Sequence, residues 1–190
     1  MDLEEVEYDE GAHNKAVYAH FGLAMFCAQC LEHEVVNTLT LLELLARKAT
    51  IRTRAEWEAA VDSIMDNHFE HTLGKMIKDL KQLTTVPPTL EAMLGEALRA
   101  RNWLAHDYFR ERATDFMTPP GREGMIDELE QPQDMFRMAD RTLHATYDAV
   151  RTRYGVTDAK IQEEWERQVT DAKAGTVPRS PAPWAPAATT

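Results

Sequence analysis

Three polar residues near the middle of the chain have the types needed to break a phosphodiester bond without a metal ion. They are Arg101, Asn102 and His106, within the segment RNWLAH. An imidazole titrates near neutral pH and can move a proton, whereas a guanidinium keeps its charge and can bind two phosphate oxygens at once. The amide of Asn102 can orient the imidazole or bind a phosphate oxygen. Together they can supply the base, the acid and the positive charge that attack by a ribose 2′-OH requires.

The three residues lie on a predicted helix, and their spacing decides which of them share a face. Asn102 and His106 are four residues apart and stack on one face, while Arg101 and Tyr108 are seven apart and share a second stripe. Arg101 and His106 are about 140° apart around the helix axis. One helix cannot easily aim both at a single phosphate, but a two-fold pair of helices can. The spacing therefore favours a composite site in a homodimer, where two copies of His106 act as base and acid.

The segment around these residues has a positive local charge, whereas the whole chain has a formal net charge of -11. Between residues 99 and 112 lie Arg99, Arg101, Arg110 and Arg112, against Asp107 and Glu111. This local charge of +2 predicts an electropositive island, doubled in a dimer, and makes Arg99, Arg110 and Arg112 candidate RNA-binding residues. Trp103 is a candidate for stacking on an unpaired base, although a core or interface role is favoured. The overall acidity argues against a protein that coats nucleic acid.

The segment RNWLAHDY, from Arg101 to Tyr108, resembles the extended Arg-x4-His-x-Tyr signature of HEPN proteins, especially the toxins paired with minimal nucleotidyltransferases. It is also similar to the RN-x-LAH form found in HEPN proteins of bacterial defence systems. The resemblance implies an all-α bundle, a homodimer, and a metal-independent endoribonuclease, acting as a toxin or abortive-infection effector, that cleaves RNA by 2′-OH attack. It implies that Arg101, Asn102 and His106 form the catalytic site and that Tyr108 is a candidate for modification by a nucleotidyltransferase antitoxin. No cofactor and no metal are expected.

Two other functions remain open. One is a noncatalytic HEPN helical module that binds a nucleotide or a partner protein, and the other is a helical scaffold whose motif is accidental. A second match, Arg137 to His144, has Met138 where Asn102 stands in the first and is a much weaker candidate. The arrangement of the motif residues, converging at an open cleft or buried separately, discriminates between these functions.

Hydrophobic periodicity predicts an up-and-down helical bundle of HEPN type and no sheet. The first helix is expected over residues 14 to 48, and the second begins at a capping box, Thr53 to Glu56, with Trp57, Val61, Ile64 and Met65 on its buried face. A third segment covers residues 69 to 83. A fourth helix follows Pro87-Pro88 and continues to about Arg112. After Pro119-Pro120-Gly121 a further helix is expected to reach Tyr154, with Pro132 kinking it or starting its second half, before a short helix around residues 159 to 169.

These elements divide the chain into four predicted regions. Residues 1–13 form an acidic N-terminal arm, 14–154 the HEPN-like bundle, 155–173 a short C-terminal helix and 174–190 a disordered Pro/Ala/Thr-rich tail. No apolar run approaches the roughly 18 residues that span a bilayer, so we expect no membrane contact and a cytoplasmic location.

Two further groups of residues could bind a metal. Cys27 and Cys30 form a single CxxC, but without a second pair we expect buried thiols within the first helix. His68 and His71, with Glu70 between them, share a helical face and could bind a metal ion with a third ligand. Partly exposed histidines on a polar stripe are the favoured interpretation, because nothing here matches HExxH.

Overall fold

The computed structural model describes residues 9–176, which form helices and no strand. The α-helices are α1 (Glu10–Arg47), α2 (Arg54–Phe69), α3 (Leu73–Leu83), α4 (Pro88–His106), α5 (Tyr108–Glu111), α6 (Pro119–Arg153) and α7 (Asp158–Lys173), with a 3-10 turn at Asp115–Met117. The all-α prediction is confirmed. The predicted tail from residue 177 onward, and residues 1–8 of the predicted acidic arm, lie outside the described residues. None of the described helices has an apolar stretch of the length that a bilayer requires.

The first helix buries its apolar residues along one stripe, as the hydrophobic periodicity of residues 14–48 predicts. Its buried residues include Val17, Ala24, Ala28, Leu31, Val35 and Leu39. It begins at Glu10, four residues earlier than expected, because the side chain of Asp9 accepts a hydrogen bond from the amide of Ala12 at 3.0 Å. Cys27 is buried as predicted, but Cys30 is exposed, which corrects the expectation of two buried thiols.

The second and third helices pack against α1 and form one corner of the core. The predicted capping box is present, with Thr53 and Glu56 exchanging hydrogen bonds, and Ile64 is buried. Trp57 is 49% exposed, so its predicted place on the buried face is wrong. The third segment does not begin at Phe69, which ends α2; Thr72 caps α3 instead.

The fourth helix starts with Pro88 at its first turn but ends at His106, six residues before the predicted end at Arg112. Asp107 leaves the helical conformation, with φ -124° and ψ -25°, and α5 restarts at Tyr108. The break turns Tyr108 into the core, where its ring stacks on Phe21 at 5.8 Å between centroids. The spacing predicted that Arg101 and Tyr108 share one stripe of a single helix. This prediction is wrong, because the two residues lie on different helices.

The sixth helix runs through Pro132 without interruption, so no second helix starts there. It lies parallel to α1, because contacts advance in the same order along both: Glu10 with Arg122, His13 with Glu123, and the His20 carbonyl with Gln133. The chain divides into two compact units, the first ending at Tyr147 and the second beginning at Asp148. The second unit contains α7, which is longer at both ends than the predicted helix and is capped by Thr157.

Candidate functional site

Arg101 is held in place by a carboxylate from α1. Its Nε donates a hydrogen bond to Oε1 of Glu32 at 2.9 Å, and both side chains are partly buried, 28% and 21% exposed respectively. Its Nη1 lies 3.5 Å from Oδ1 of Asn102. This contact with Glu32 occupies one edge of the guanidinium and leaves N–H donors on the other edges for an incoming anion.

His106 stands at the C-terminal end of α4 and is exposed. It forms no hydrogen bond or ion pair with any residue in the described part of the chain. Asn102, one turn earlier, is exposed too and lies on the same face of the helix. The structure thus brings Arg101 and Asn102 together, and leaves the imidazole of His106 free to meet a ligand from solvent.

Tyr108 is buried, although sequence reasoning made it a candidate for modification. Its hydroxyl donates to the carbonyl oxygen of Met125 on α6 at 3.2 Å, and its ring meets Trp103 edge-on at 5.0 Å. Burial and the nearby Glu128 carboxylate hold the pKa of this phenol above its ordinary value. A transferase that modifies this hydroxyl would need α5 to open first.

The predicted electropositive island has no net charge in the structure, because carboxylates from other helices pair with its arginines. Glu32 of α1 pairs with Arg101, and Glu128 of α6 binds Arg112 through two hydrogen bonds of 2.8 and 2.6 Å. Arg110 pairs with Asp107, three residues earlier in the chain. Hydrogen bonds from Arg112 to Glu128 also raise the guanidinium's pKa. Two carboxylates from distant helices cancel the local +2, which corrects the charge predicted from the sequence.

Arg99 is the member of this group that keeps an exposed guanidinium and pairs with no carboxylate among the described residues. Arg110 and Arg112, also proposed as RNA contacts, would have to exchange an existing partner for a phosphate. An exposed pair such as Arg110 and Asp107 is weak enough to do so, because such pairs contribute about 0–1 kcal/mol.

Trp103 has a structural role. Its indole N–H donates to Glu111 at 2.8 Å, and the guanidinium of Arg112 lies over the ring, 5.4 Å from its centroid. The ring face beneath Arg112 is covered, so the favoured core role describes the residue better than base stacking does. It anchors α5 against α4 immediately after the break at Asp107.

Sequence reasoning missed Glu32 and Glu128. Glu32 lies 69 residues before Arg101 and carries one weak signal, a carboxylate directly beside the buried Leu31 of the apolar stripe. It also missed Asp79 of α3, which lies beside His68 and His71. The favoured interpretation of two partly exposed histidines on one helical face is wrong, because His68 is buried and His71 lies beyond the end of α2. Both omissions concern contacts between helices, which periodicity along one helix does not report.

Comparisons of this chain with models of known families, with curated proteins and with solved structures find no match. The resemblance to HEPN proteins therefore depends on the motif residues and their arrangement on α4.

Proposed function

We propose that this protein is a homodimeric, metal-independent endoribonuclease of HEPN type, acting in the cytoplasm as a toxin or an abortive-infection effector. The observation that carries the proposal is the state of His106. It is an exposed imidazole with no protein partner among the described residues, one turn after Asn102, on the helix whose Arg101 is fixed by Glu32. No group among the described residues therefore competes with a ligand for either nitrogen of this imidazole.

In the proposed reaction one His106 removes the proton from a ribose 2′-OH, which then attacks the adjacent phosphorus. The P–O5′ bond breaks, and the second protomer's His106 gives a proton to the leaving 5′-oxygen. The products are a 2′,3′-cyclic phosphate and a free 5′-OH. Arg101 stabilises the phosphorane with the N–H groups that Glu32 leaves open.

The dimer is required because Arg101 and His106 point about 140° apart on one helix. The exposed face of α1 offers a surface that such a dimer can bury. Tyr18 and Phe26, two turns apart on that face, are each more than half exposed, with Gly22 between them. Tyr18 also contacts Phe109, next to the break after α4. The exposed ring of Tyr18, which reaches the segment after the motif, favours a self-complementary interface there.

A mixing experiment tests the proposal. His106→Ala and Arg101→Ala should each abolish cleavage of an oligoribonucleotide. Mixed dimers of the two variants, which retain one histidine and one arginine, should regain part of the activity. Arg137→Ala and His144→Ala, at the second match, serve as controls and should cleave normally. Full activity of His106→Ala, or cleavage by a chain that sediments as a monomer, would contradict the composite site.

A noncatalytic module that binds a partner protein is the second candidate. The pairing of Arg110 and Arg112 with carboxylates favours it, because phosphate binding must compete with those pairs. It predicts that the wild-type chain binds its partner through the exposed face of α1 and leaves RNA intact, even at low salt where phosphate contacts are strongest.

A further inference from the structure

A second group of chemically active side chains lies where α2 turns into α3. His68 is near the end of α2, His71 is in the turn, and Asp79 is on α3. Each can offer one ligand atom, and these atoms all lie within 4.8 Å of one another. Glu43 and Lys75 line the same pocket. None of these residues has a part in the proposed cleavage.

The orientation of His68 is fixed by a carboxylate from α1. Its side chain is 3% exposed, and its Nε2 lies 2.8 Å from Oε1 of Glu43. Because a carboxylate can only accept, Nε2 of the neutral ring carries the proton and Nδ1 presents a lone pair. Nδ1 is buried and has no hydrogen-bond partner. Metal-binding histidines commonly show this arrangement, with one ring nitrogen donating to a carboxylate and the other facing the ion.

The other two groups complete a set of ligands. The Nδ1 atom of His71 is also buried without a hydrogen bond, and it lies 3.7 Å from Oδ2 of Asp79. Two imidazole nitrogens left without hydrogen bonds at one place would cost free energy if nothing bound them. Two imidazoles and one carboxylate form a ligand set that suits zinc and related divalent ions.

We propose that His68, His71 and Asp79 bind one divalent transition-metal ion of the zinc class, with water as the fourth ligand. Tetrahedral zinc with metal–nitrogen distances near 2.0–2.1 Å places its ligand atoms about 3.3 Å apart. The three groups therefore close in by up to about 1.5 Å, which His71 and Asp79 can do because both are only partly buried. The ion would join α2 to α3 and, through Glu43, to α1.

Substitution of Lys75 should change metal affinity in the opposite direction to substitution of a ligand. Its ammonium donates to both carboxylate oxygens of Asp79, and its side chain is half exposed. A metal ion must displace this ammonium, since the two cations compete for the same oxygens and repel each other. Lys75→Ala should therefore tighten metal binding, whereas removal of a ligand should weaken it.

The experiment is a zinc titration of the purified full-length chain against a chromophoric chelator, with native mass spectrometry for stoichiometry. We expect one zinc per chain, at least a hundredfold weaker binding in His71→Ala and Asp79→Asn, and a loss of about 10–100-fold in Glu43→Gln. Glu70→Gln makes the same type of change between the two histidines and should bind as the wild type does. His106→Ala, which removes a different exposed histidine, should also be unaffected.

Two further measurements keep the proposal falsifiable if a ligand variant folds poorly. Lys75→Ala should bind zinc more tightly than the wild type, and Co²⁺ in place of zinc should give the intense visible absorption of a tetrahedral site. At free zinc a hundredfold above the dissociation constant, linkage predicts that the melting temperature rises by about 5–10 °C. No saturable zinc binding at micromolar concentration, or unchanged affinity in both Asp79→Asn and Lys75→Ala, would overturn the assignment.

The proposed metal site and the proposed cleavage site can be tested separately, because each predicts a different effect of chelation. EDTA should lower the melting temperature of the wild-type chain, yet leave the rate of RNA cleavage unchanged well below that temperature. Loss of cleavage that returns on adding zinc would contradict the metal-independent mechanism while supporting the metal site.

Discussion

Replacing Glu32 by Gln should reduce the stability of the fold only slightly but reduce the rate of the proposed cleavage strongly. The substitution keeps the shape of the side chain, and its amide oxygen can still accept a hydrogen bond from Nε of Arg101, but the charge is lost. The pair is about a quarter exposed, so its contribution falls between those of surface and buried ion pairs. We expect a loss of about 0.5–1.5 kcal/mol, and a melting temperature lower by about 1–5 °C.

Activity should change in two opposite ways. The motif surface gains one unit of positive charge, and at about 6 Å in water this attracts a phosphate by about 0.7 kcal/mol, or roughly threefold in KM. Arg101 meanwhile loses the contact that fixes its guanidinium. Misplacement of such a group by about 1 Å costs up to about a hundredfold, so kcat should fall by about 10–100-fold.

Steady-state and single-turnover cleavage of a fluorogenic oligoribonucleotide measure both quantities. Glu34→Gln is the matched control, because it makes the same change two residues along α1, where the carboxylate faces His144 instead. A Glu32→Gln protein with unchanged kcat, or with kcat and substrate affinity both reduced to the same extent as in Glu34→Gln, would refute a positioning role for Glu32.

Three further predictions concern the scaffold. Gly121→Ala should lower the melting temperature by about 4–10 °C, because its Cβ would lie 2.1 Å from a backbone oxygen of the 3-10 turn, whereas Gly124→Ala, with open space around it, should be neutral or stabilising. Tyr108→Phe should remove the part of alkaline destabilisation that sets in above about pH 10, since the raised pKa of the buried phenol stabilises the fold below that pH and the effect is lost as pH rises. Hydrogen bonds from Arg167 lower the pKa of Glu164 from 4.5 to about 2, so the amide protection factors in α7, which are corrected for the intrinsic exchange rate at each pH, should fall as pH falls from 4.5 towards 2, and Arg167→Ala should weaken that dependence.

The helices were predictable from the sequence where a pattern within the helix itself, such as an apolar stripe or a capping box, indicates it. The apolar stripe of α1 and the capping box of α2 are local patterns, and both are present. The end of α4 was not predictable, because residues 101–112 have no proline or glycine to stop a helix. The break at Asp107 accompanies the burial of Tyr108 against Phe21 and α6. Such a break reflects tertiary packing overriding helix propensity.

The helix that contains the candidate site residues was predictable from the sequence, but the charges around those residues were not. The sequence places Arg101, Asn102 and His106 on one helix, and the structure has all three there, with His106 exposed. Counting charges along the chain failed, because Glu32 and Glu128 reach the motif from α1 and α6. Each of these carboxylates lies within 3 Å of an arginine nitrogen of the motif segment, although it is many residues away in the sequence.

For the proposed ribonuclease function, the neutral motif surface limits the number of phosphates that an RNA substrate can place there. With Arg112 fixed on Glu128, the cationic groups that have no carboxylate to exchange for a phosphate are Arg99 and the open edges of Arg101. Affinity from counterion release grows with the number of phosphates neutralised, so few phosphates can contribute to binding. A site with few phosphate contacts suits a short unpaired segment better than a long duplex. In-line attack by a 2′-OH also needs a nucleotide free to leave helical geometry, so binding and chemistry favour the same substrate.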